Sequence, residues 1–263
     1  SSSAATAKAL LQDAGHESSI TVGDFFRTVP DPSYEAVIGN PPYVRYQAFS
    51  GESRAAAQRA ALRAGVSLTN LASSWAAFTV HAALHVRPGG RLGLVLPAEI
   101  LTVNYAAPVR EFLMRSFERV RLVLFTERVF PGVMEDVVLL LAEGRDNGPT
   151  DHCELMQTQN GSTLTALAES DVRRWRPNQD ERWSGALLEP AAAEAYATAL
   201  ASDKISLLSD WGETTLGMVT GNNKYFTLRE ADVHRLGLTA SDVIRLSPPG
   251  SRHLRGLSLT AQD

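Results

Sequence analysis

Tyr34-Glu35-Ala36-Val37-Ile38-Gly39-Asn40-Pro41-Pro42-Tyr43 is the stretch from which the rest of the chain can be read. Its first five residues form a short β-prone run that Gly39 and two prolines terminate, so the sequence predicts a strand delivering a polar loop. Strand carboxyl ends are where open α/β sheets bind their ligands. The Asn40 side chain and the backbone before Pro42 each present a carbonyl, and two prolines hold these acceptors rigidly without adding N–H donors. Two such acceptors can grip an exocyclic NH2 and pull its nitrogen lone pair out of conjugation, while Tyr43 offers a π face to a base swung out of a duplex. Asn40, Pro41, Pro42 and Tyr43 are therefore the candidate catalytic residues. Taken alone, the tetrapeptide would also serve as an Asx-Pro turn that only stops a strand.

The surroundings read as alternating helices and strands. Residues 4–14 are rich in helix formers and stop at Gly15, and Ser19–Val22 is a short β-prone run ending at Gly23-Asp24. From Asn70 a helical pattern puts Leu71, Trp75, Phe78, Ala82 and Val86 on one face, until Arg87-Pro88-Gly89-Gly90 breaks it and delivers a strand over 91–96. A helix around Val109–Phe117 follows, then two β-rich runs, Val120–Phe125 and Asp136–Leu141. This alternation predicts an α/β fold with a parallel sheet and right-handed crossovers, the last two strands forming an antiparallel hairpin at the sheet end. The polar stretch Glu143–Pro149 marks a boundary, giving three parts: 1–148, a connection over 149–204, and 205–263. Within the connection, Arg173, Arg174, Arg176 and Arg182 alternate with Trp175 and Trp183, but Asp171, Asp180 and Glu181 dilute the charge and favour a structural role over DNA tracking. Pro190–Leu200 reads as an alanine-rich helix, and Leu216–Phe226 and Val243–Leu246 have β character.

At about 150 residues per domain, 263 residues make one large domain or one and part of another. Hydrophobic residues at 44% exclude a largely disordered chain. With 25 Lys+Arg against 29 Asp+Glu, the net charge of −4 supplies no global basic field, so DNA binding must use a local patch. The one cysteine, Cys153, reads as an inert small hydrophobe, which with the lack of a signal segment or membrane span points to the cytoplasm. His81 and His85 stand four apart on the expected helix, yet no Glu completes a zinc-protease pattern; they read as structural, and no metal is expected.

Asn40-Pro41-Pro42-Tyr43-Val44-Arg45-Tyr46 resembles the catalytic motif of the adenine-N6 DNA methyltransferases of restriction-modification systems, in the gamma class that carries its target-recognition domain at the C-terminal end. Gly23-Asp24-Phe25-Phe26 is similar to that family's upstream segment, and Asn70-Leu71, Arg87-Pro88-Gly89-Gly90 and Leu96-Pro97 follow in the family's order. The resemblance implies a Rossmann-like class I methyltransferase sheet followed by the start of an α+β target-recognition region. It further implies S-adenosylmethionine as cofactor, with Asp24 accepting from its adenine amine, Phe25 packing on that ring, and Asn40 close by. Phe130 occupies the position of an aromatic that stacks on the flipped adenine opposite Tyr43. Arg45 would hold a neighbouring phosphate, and Gly217–Phe226, with Asn222, Asn223 and Lys224, looks like the DNA-facing entry to the recognition region. Implied partners are duplex DNA and a restriction subunit or fused nuclease domain, with no membrane.

The chain departs from the family pattern in one respect: the glycine-rich cofactor loop and the acidic residue after the second strand are not in it. The expectation that follows is a piece of a longer chain whose sheet has a gap between the strand ending at Gly23 and the one ending at Gly39. The same amine grip would suit a glutamine amide, an RNA base or cytosine N4, and a noncatalytic DNA-binding module is the reading from another class.

Overall fold

Leucine and valine at alternate positions of 92–96, 120–124 and 138–142 require one shared buried face, and they obtain it in a single mixed sheet. The computed structural model describes residues 2–130, 136–177, 182–213 and 222–244. The strands β1 (Tyr34–Gly39), β2 (Val86–Pro97), β3 (Phe117–Phe125), β4 (Val137–Arg145), β5 (Cys153–Thr158) and β6 (Arg173–Trp175) lie in the order β1-β2-β4-β3-β5-β6. β1 is parallel to β2, and β3 is parallel to β5, while β4 runs antiparallel to both β2 and β3. β1, β2, β3 and β5 thus all end at the same edge of the sheet. Leu94, Leu140 and Leu122 form one row across the three central strands, all buried.

Helices cover that row. α1 (Ser2–Asp13) ends at Gly15, whose φ of +77° favours glycine and lets the next amide turn back to the Leu11 carbonyl. α2 (Gly51–Leu62) packs on α3 (Ser74–Ala83), α3 packs on β2, and α4 (Ala107–Ser116) packs on β3. The opposite face carries a band of ion pairs: Arg91–Glu143–Arg119–Glu154–Arg121–Glu169, with separations of 2.8–3.9 Å. Later in the chain come α5 (Pro190–Leu200), α6 (Leu208–Trp211), α7 (Asn223–Phe226) and α8 (Glu230–Arg235). The chain forms two compact units, residues 1–197 and 198–263.

The α/β class and the strands over 34–39, 91–96, 120–125 and 137–141 match the sequence reading; five details differ. Ser19–Val22 is not a strand, because no neighbour offers this short run a ladder, and Val22 is exposed. The 70–86 helix starts only at Ser74, since Thr69 folds Leu71 and Ala72 into a turn; Leu71 is exposed, and Val86 already belongs to β2. The hairpin of β3 and β4 is not at the sheet end: β4 inserts between β2 and β3, and the sheet continues through residues 143–149 into β5 and β6. Among the described residues no gap interrupts the sheet, in which β1 is an edge strand with Ile38 84% exposed. Finally, residues 223–226 of the expected β-like segment are helical, 214–221 and 245–246 lie outside the described residues, and 243–244 form no strand.

Arg87–Gly90 is an excursion within β2, its Arg87 paired with Glu35 at 3.2 Å. Gly90 must lack a side chain, because a Cβ there would stand 2.7 Å from the Glu35 carbonyl. Arg173 holds the Ala186 and Leu188 carbonyls, Arg174 faces Glu154 and Arg176 pairs with Asp151, so these arginines have the structural role that was favoured.

Truncating Leu140 to alanine removes the centre of the buried row and should cost about 2–5 kcal/mol in urea unfolding, whereas Ile38→Ala should stay within about 0.5 kcal/mol.

Candidate active site

β1 ends at Gly39, and the loop that follows is pinned from several directions. Asn40 is exposed, Pro41 is buried and Tyr43 is half-buried against the core. The single phenolic proton of Tyr43 is within reach of two acceptors, Asn40 Oδ1 at 3.0 Å and the Val95 carbonyl at 2.9 Å, and can serve one at a time. Val95 belongs to β2, so the tyrosine ties together the carboxyl ends of two neighbouring parallel strands. Ser74, at the start of α3, meets the same loop: its hydroxyl donates to the Pro42 carbonyl and accepts from the Val44 amide at 3.0 Å, and its own amide donates to the Val44 carbonyl at 3.0 Å. Farther along, the Arg54 guanidinium donates to the Tyr46 and Phe49 carbonyls and closes the 45–50 turn.

The Gly23–Phe26 segment forms a second cluster. Asp24 Oδ1 caps the 3-10 turn Phe25–Arg27 by accepting from the Phe26 amide at 3.0 Å, and Oδ2 lies 3.5 Å from Arg27 Nε; the carboxylate stays exposed. Phe25 is half-buried between the Phe78 ring, 5.4 Å away and nearly parallel to it, and the rings of His81 and His85. His81 is fully buried, and its Nε2 lies 3.0 Å from the Phe25 carbonyl and 3.1 Å from the Thr28 hydroxyl. Burial, helped by the adjacent His85 and by Arg63, lowers its pKa to about 4 against the opposing pull of the Phe25 carbonyl and Asp24. The histidines are structural, as read, but not fully satisfied: His81 Nδ1 and His85 Nε2 are buried without a partner. Cys153 is fully buried, and burial pushes its thiol far up, in keeping with an inert role.

Phe130 follows β3 at the same sheet edge as Asn40 and is partly exposed. The segment leading to it is stapled to the loop after β5: the Thr126 and Glu127 amides donate to Thr158 and Gln159 carbonyls, and the Glu127 carboxylate accepts from Gln159 and Asn160 side chains. Arg45 lies exposed in the loop after Tyr43. Asn222 is exposed ahead of α7 in the second unit; the side chains of Asn223 and Lys224 lie outside the described residues.

Sequence reasoning missed Ser74, Val95 and Glu99. The Glu99 carboxylate accepts from Trp75 Nε1 at 2.7 Å and from the Tyr105 hydroxyl at 2.8 Å, and burial with this neighbour pushes the Tyr105 pKa up to about 12. Two serines just before an apolar helix are the one local signal, and it suggests a cap for that helix rather than a bond to a loop 30 residues away.

The Asn-Pro-Pro-Tyr loop thus sits at a strand end on a mixed α/β sheet, joined by a neighbouring strand and a helix start, at the edge where such sheets bind their ligands. Two family descriptions match the chain in succession: Eco57I restriction-modification methylase over residues 7–130, and the C-terminal domain of Type II methyltransferase M.Eco57I over residues 180–263. The chain belongs to the DNA methyltransferases of restriction-modification systems. Among curated proteins it is 28% identical over 116 residues to Type II methyltransferase M.HincII of Haemophilus influenzae, covering 44% of this chain and 23% of that protein. It is 24% identical over 204 residues to Type II methyltransferase M.AccI of Acinetobacter calcoaceticus, covering 74% of this chain and 36% of that protein. The chain thus spans about a quarter to a third of the length of the curated relatives it matches. Among solved structures, the DrdV–DNA complex aligns with a TM-score of 0.47 at 16% identity, over 57% of this chain and 18% of that one.

A histidine held neutral by burial stabilises the fold above its ordinary pKa of 6.5 and loses that contribution as pH falls toward 4. The thermal midpoint should therefore drop between pH 6.5 and 4, and His81→Gln, which takes up no proton, should flatten that drop in calorimetric melts.

Proposed function

We propose that this chain carries the catalytic loop of a site-specific DNA adenine-N6 methyltransferase, which transfers a methyl group from S-adenosylmethionine to an adenine flipped out of duplex DNA. The observation that supports this best is the Asn40-Pro41-Pro42-Tyr43 loop at the end of β1, pinned by Tyr43 and Ser74. Asn40 Oδ1 and the Pro41 carbonyl accept the two hydrogens of the N6 amine, which draws the nitrogen toward tetrahedral geometry and frees its lone pair for attack. When the Tyr43 proton turns to the Val95 carbonyl, both lone pairs of Asn40 Oδ1 become available to the amine. The Tyr43 ring stacks on one face of the base, and Phe130 on the other. Arg45 holds a backbone phosphate beside the extruded nucleotide, and Asn222, Asn223 and Lys224 face DNA from the second unit.

The Asp24–Phe25 turn fits the adenine end of S-adenosylmethionine. Its exposed carboxylate keeps acceptor capacity beyond the cap it makes, for an exocyclic amine, while the Phe25 ring beside it is already packed against Phe78, His81 and His85. When bound, the cofactor supplies an electrophilic methyl group, so positioning and polarisation are what the protein must add. A restriction subunit or nuclease domain is the partner that family membership favours, and the cytoplasm is the compartment where such a pair would meet DNA. Among the described residues no helix is long and apolar enough to cross a membrane.

Removing one acceptor should cost about 10²–10³-fold in turnover. Incubation of the complete gene product with labelled S-adenosylmethionine and mixed-sequence duplex DNA should yield N6-methyladenine in nucleoside mass spectra, and Asn40→Ala should remove it. N4-methylcytosine, a methylated glutamine in a protein substrate, or DNA binding without transfer would each replace this reading.

A further inference from the structure

We infer that Ser74 is the positioning residue that sets the geometry of the Asn40–Tyr43 loop for catalysis; this rests on the methyltransferase reading above. Ser73, not Ser74, occupies the capping position of α3, and neither hydroxyl caps the helix. The Ser74 hydroxyl is committed instead to the loop, where it takes the carbonyl before Tyr43 and the amide after it, while its own backbone amide takes the Val44 carbonyl. Tyr43 is thereby bracketed on both sides, which fixes the backbone dihedrals that aim its ring. The bond to the Pro42 carbonyl fixes the Pro42–Tyr43 peptide, one residue beyond the Pro41 carbonyl that is the second amine acceptor.

Ser74 is 1% exposed, so water is not at hand to replace what its hydroxyl supplies. The next residue anchors it: Trp75 is fully buried and donates to the Glu99 carboxylate, which also accepts from Tyr105. Glu99 follows the end of β2, the strand whose Val95 carbonyl accepts from Tyr43. The loop after β1 is therefore held against β2 by two routes, one through the tyrosine hydroxyl and one through Ser74, Trp75 and Glu99. Ser74 acts on the reacting groups only through the loop, so its loss should lower turnover and leave the DNA concentration dependence alone.

The test reads the loop and the reaction separately, by amide hydrogen exchange at Val44 and by steady-state methylation of duplex DNA with the complete gene product. Ser74→Ala should speed Val44 exchange about ten-fold while β3 and β4 amides keep their protection, and should lower kcat about ten-fold or more at unchanged KM for DNA. Ser74→Thr, which keeps the hydroxyl, should recover most of both; Ser74→Cys, with a weaker donor of similar size, should fall between and stands in if the alanine variant does not melt cooperatively. Unchanged Val44 exchange, unchanged kcat, or a rise in KM at constant kcat would overturn the assignment. Absence of methyl transfer by the unsubstituted protein would instead sink the methyltransferase reading, and Val44 exchange would still decide whether Ser74 fixes the loop.

Discussion

The reversal of β4 between β2 and β3 is the constraint on which the remaining geometry depends. Because β4 runs against both neighbours, β3 regains the direction of β2, and the carboxyl ends of β1, β2, β3 and β5 gather along one edge. The row Leu94–Leu140–Leu122 shows what secures it. Strand side chains alternate faces, so a slip of β4 by one residue would move Val138, Leu140 and Ala142 out of the core and bring Leu139 and Leu141 in. The shared edge then collects Asn40, Glu99 and the loop leading to Phe130 without any one segment having to reach far.

Two kinds of support meet at that edge. The ion-pair band on the face away from the helices links β2, β4, β3 and β5 side by side, with Glu154 deeply buried among three arginines. At the edge itself the ties are single hydrogen bonds, from the Tyr43 and Ser74 hydroxyls and from the Trp75 indole to the Glu99 carboxylate, and each depends on the precise placement of one donor. A sheet fastened broadly by charge and a loop fastened narrowly by single donors divide the work: the first sets where the loop begins, the second how its acceptors point.

What was legible in the sequence was whatever physics acts over a few residues. The run Tyr34–Ile38 halting at Gly39, the alanine-rich stretch closing at Gly15 and the placing of the Asn40–Tyr43 loop at a strand end are short-range, and the structure has these elements where they were read. Strand order was not legible, because β4 choosing both β2 and β3 is settled by leucines about 20 and 45 residues apart. The start of α3 was misplaced because Leu71 fits the helical pattern while a threonine hydroxyl two residues earlier folds it into a turn. Ser74 and Val95 escaped for a related reason: a serine or a backbone carbonyl carries no sign of the partner that the fold brings to it from 30 or 52 residues away.

The two edges of the sheet are unlike. β6 is three residues long and two of them are arginines, a combination that discourages further pairing. β1 is twice that length, has one charged residue, and exposes Ile38 beside an apolar hollow floored by Gly93, Leu139 and Leu141. An extended segment laid along β1 would gain ladder hydrogen bonds and a greasy seat at once. Of the two edges, the longer and less charged one thus lies beside the Asn40–Tyr43 loop, and a strand added there would be the loop's neighbour.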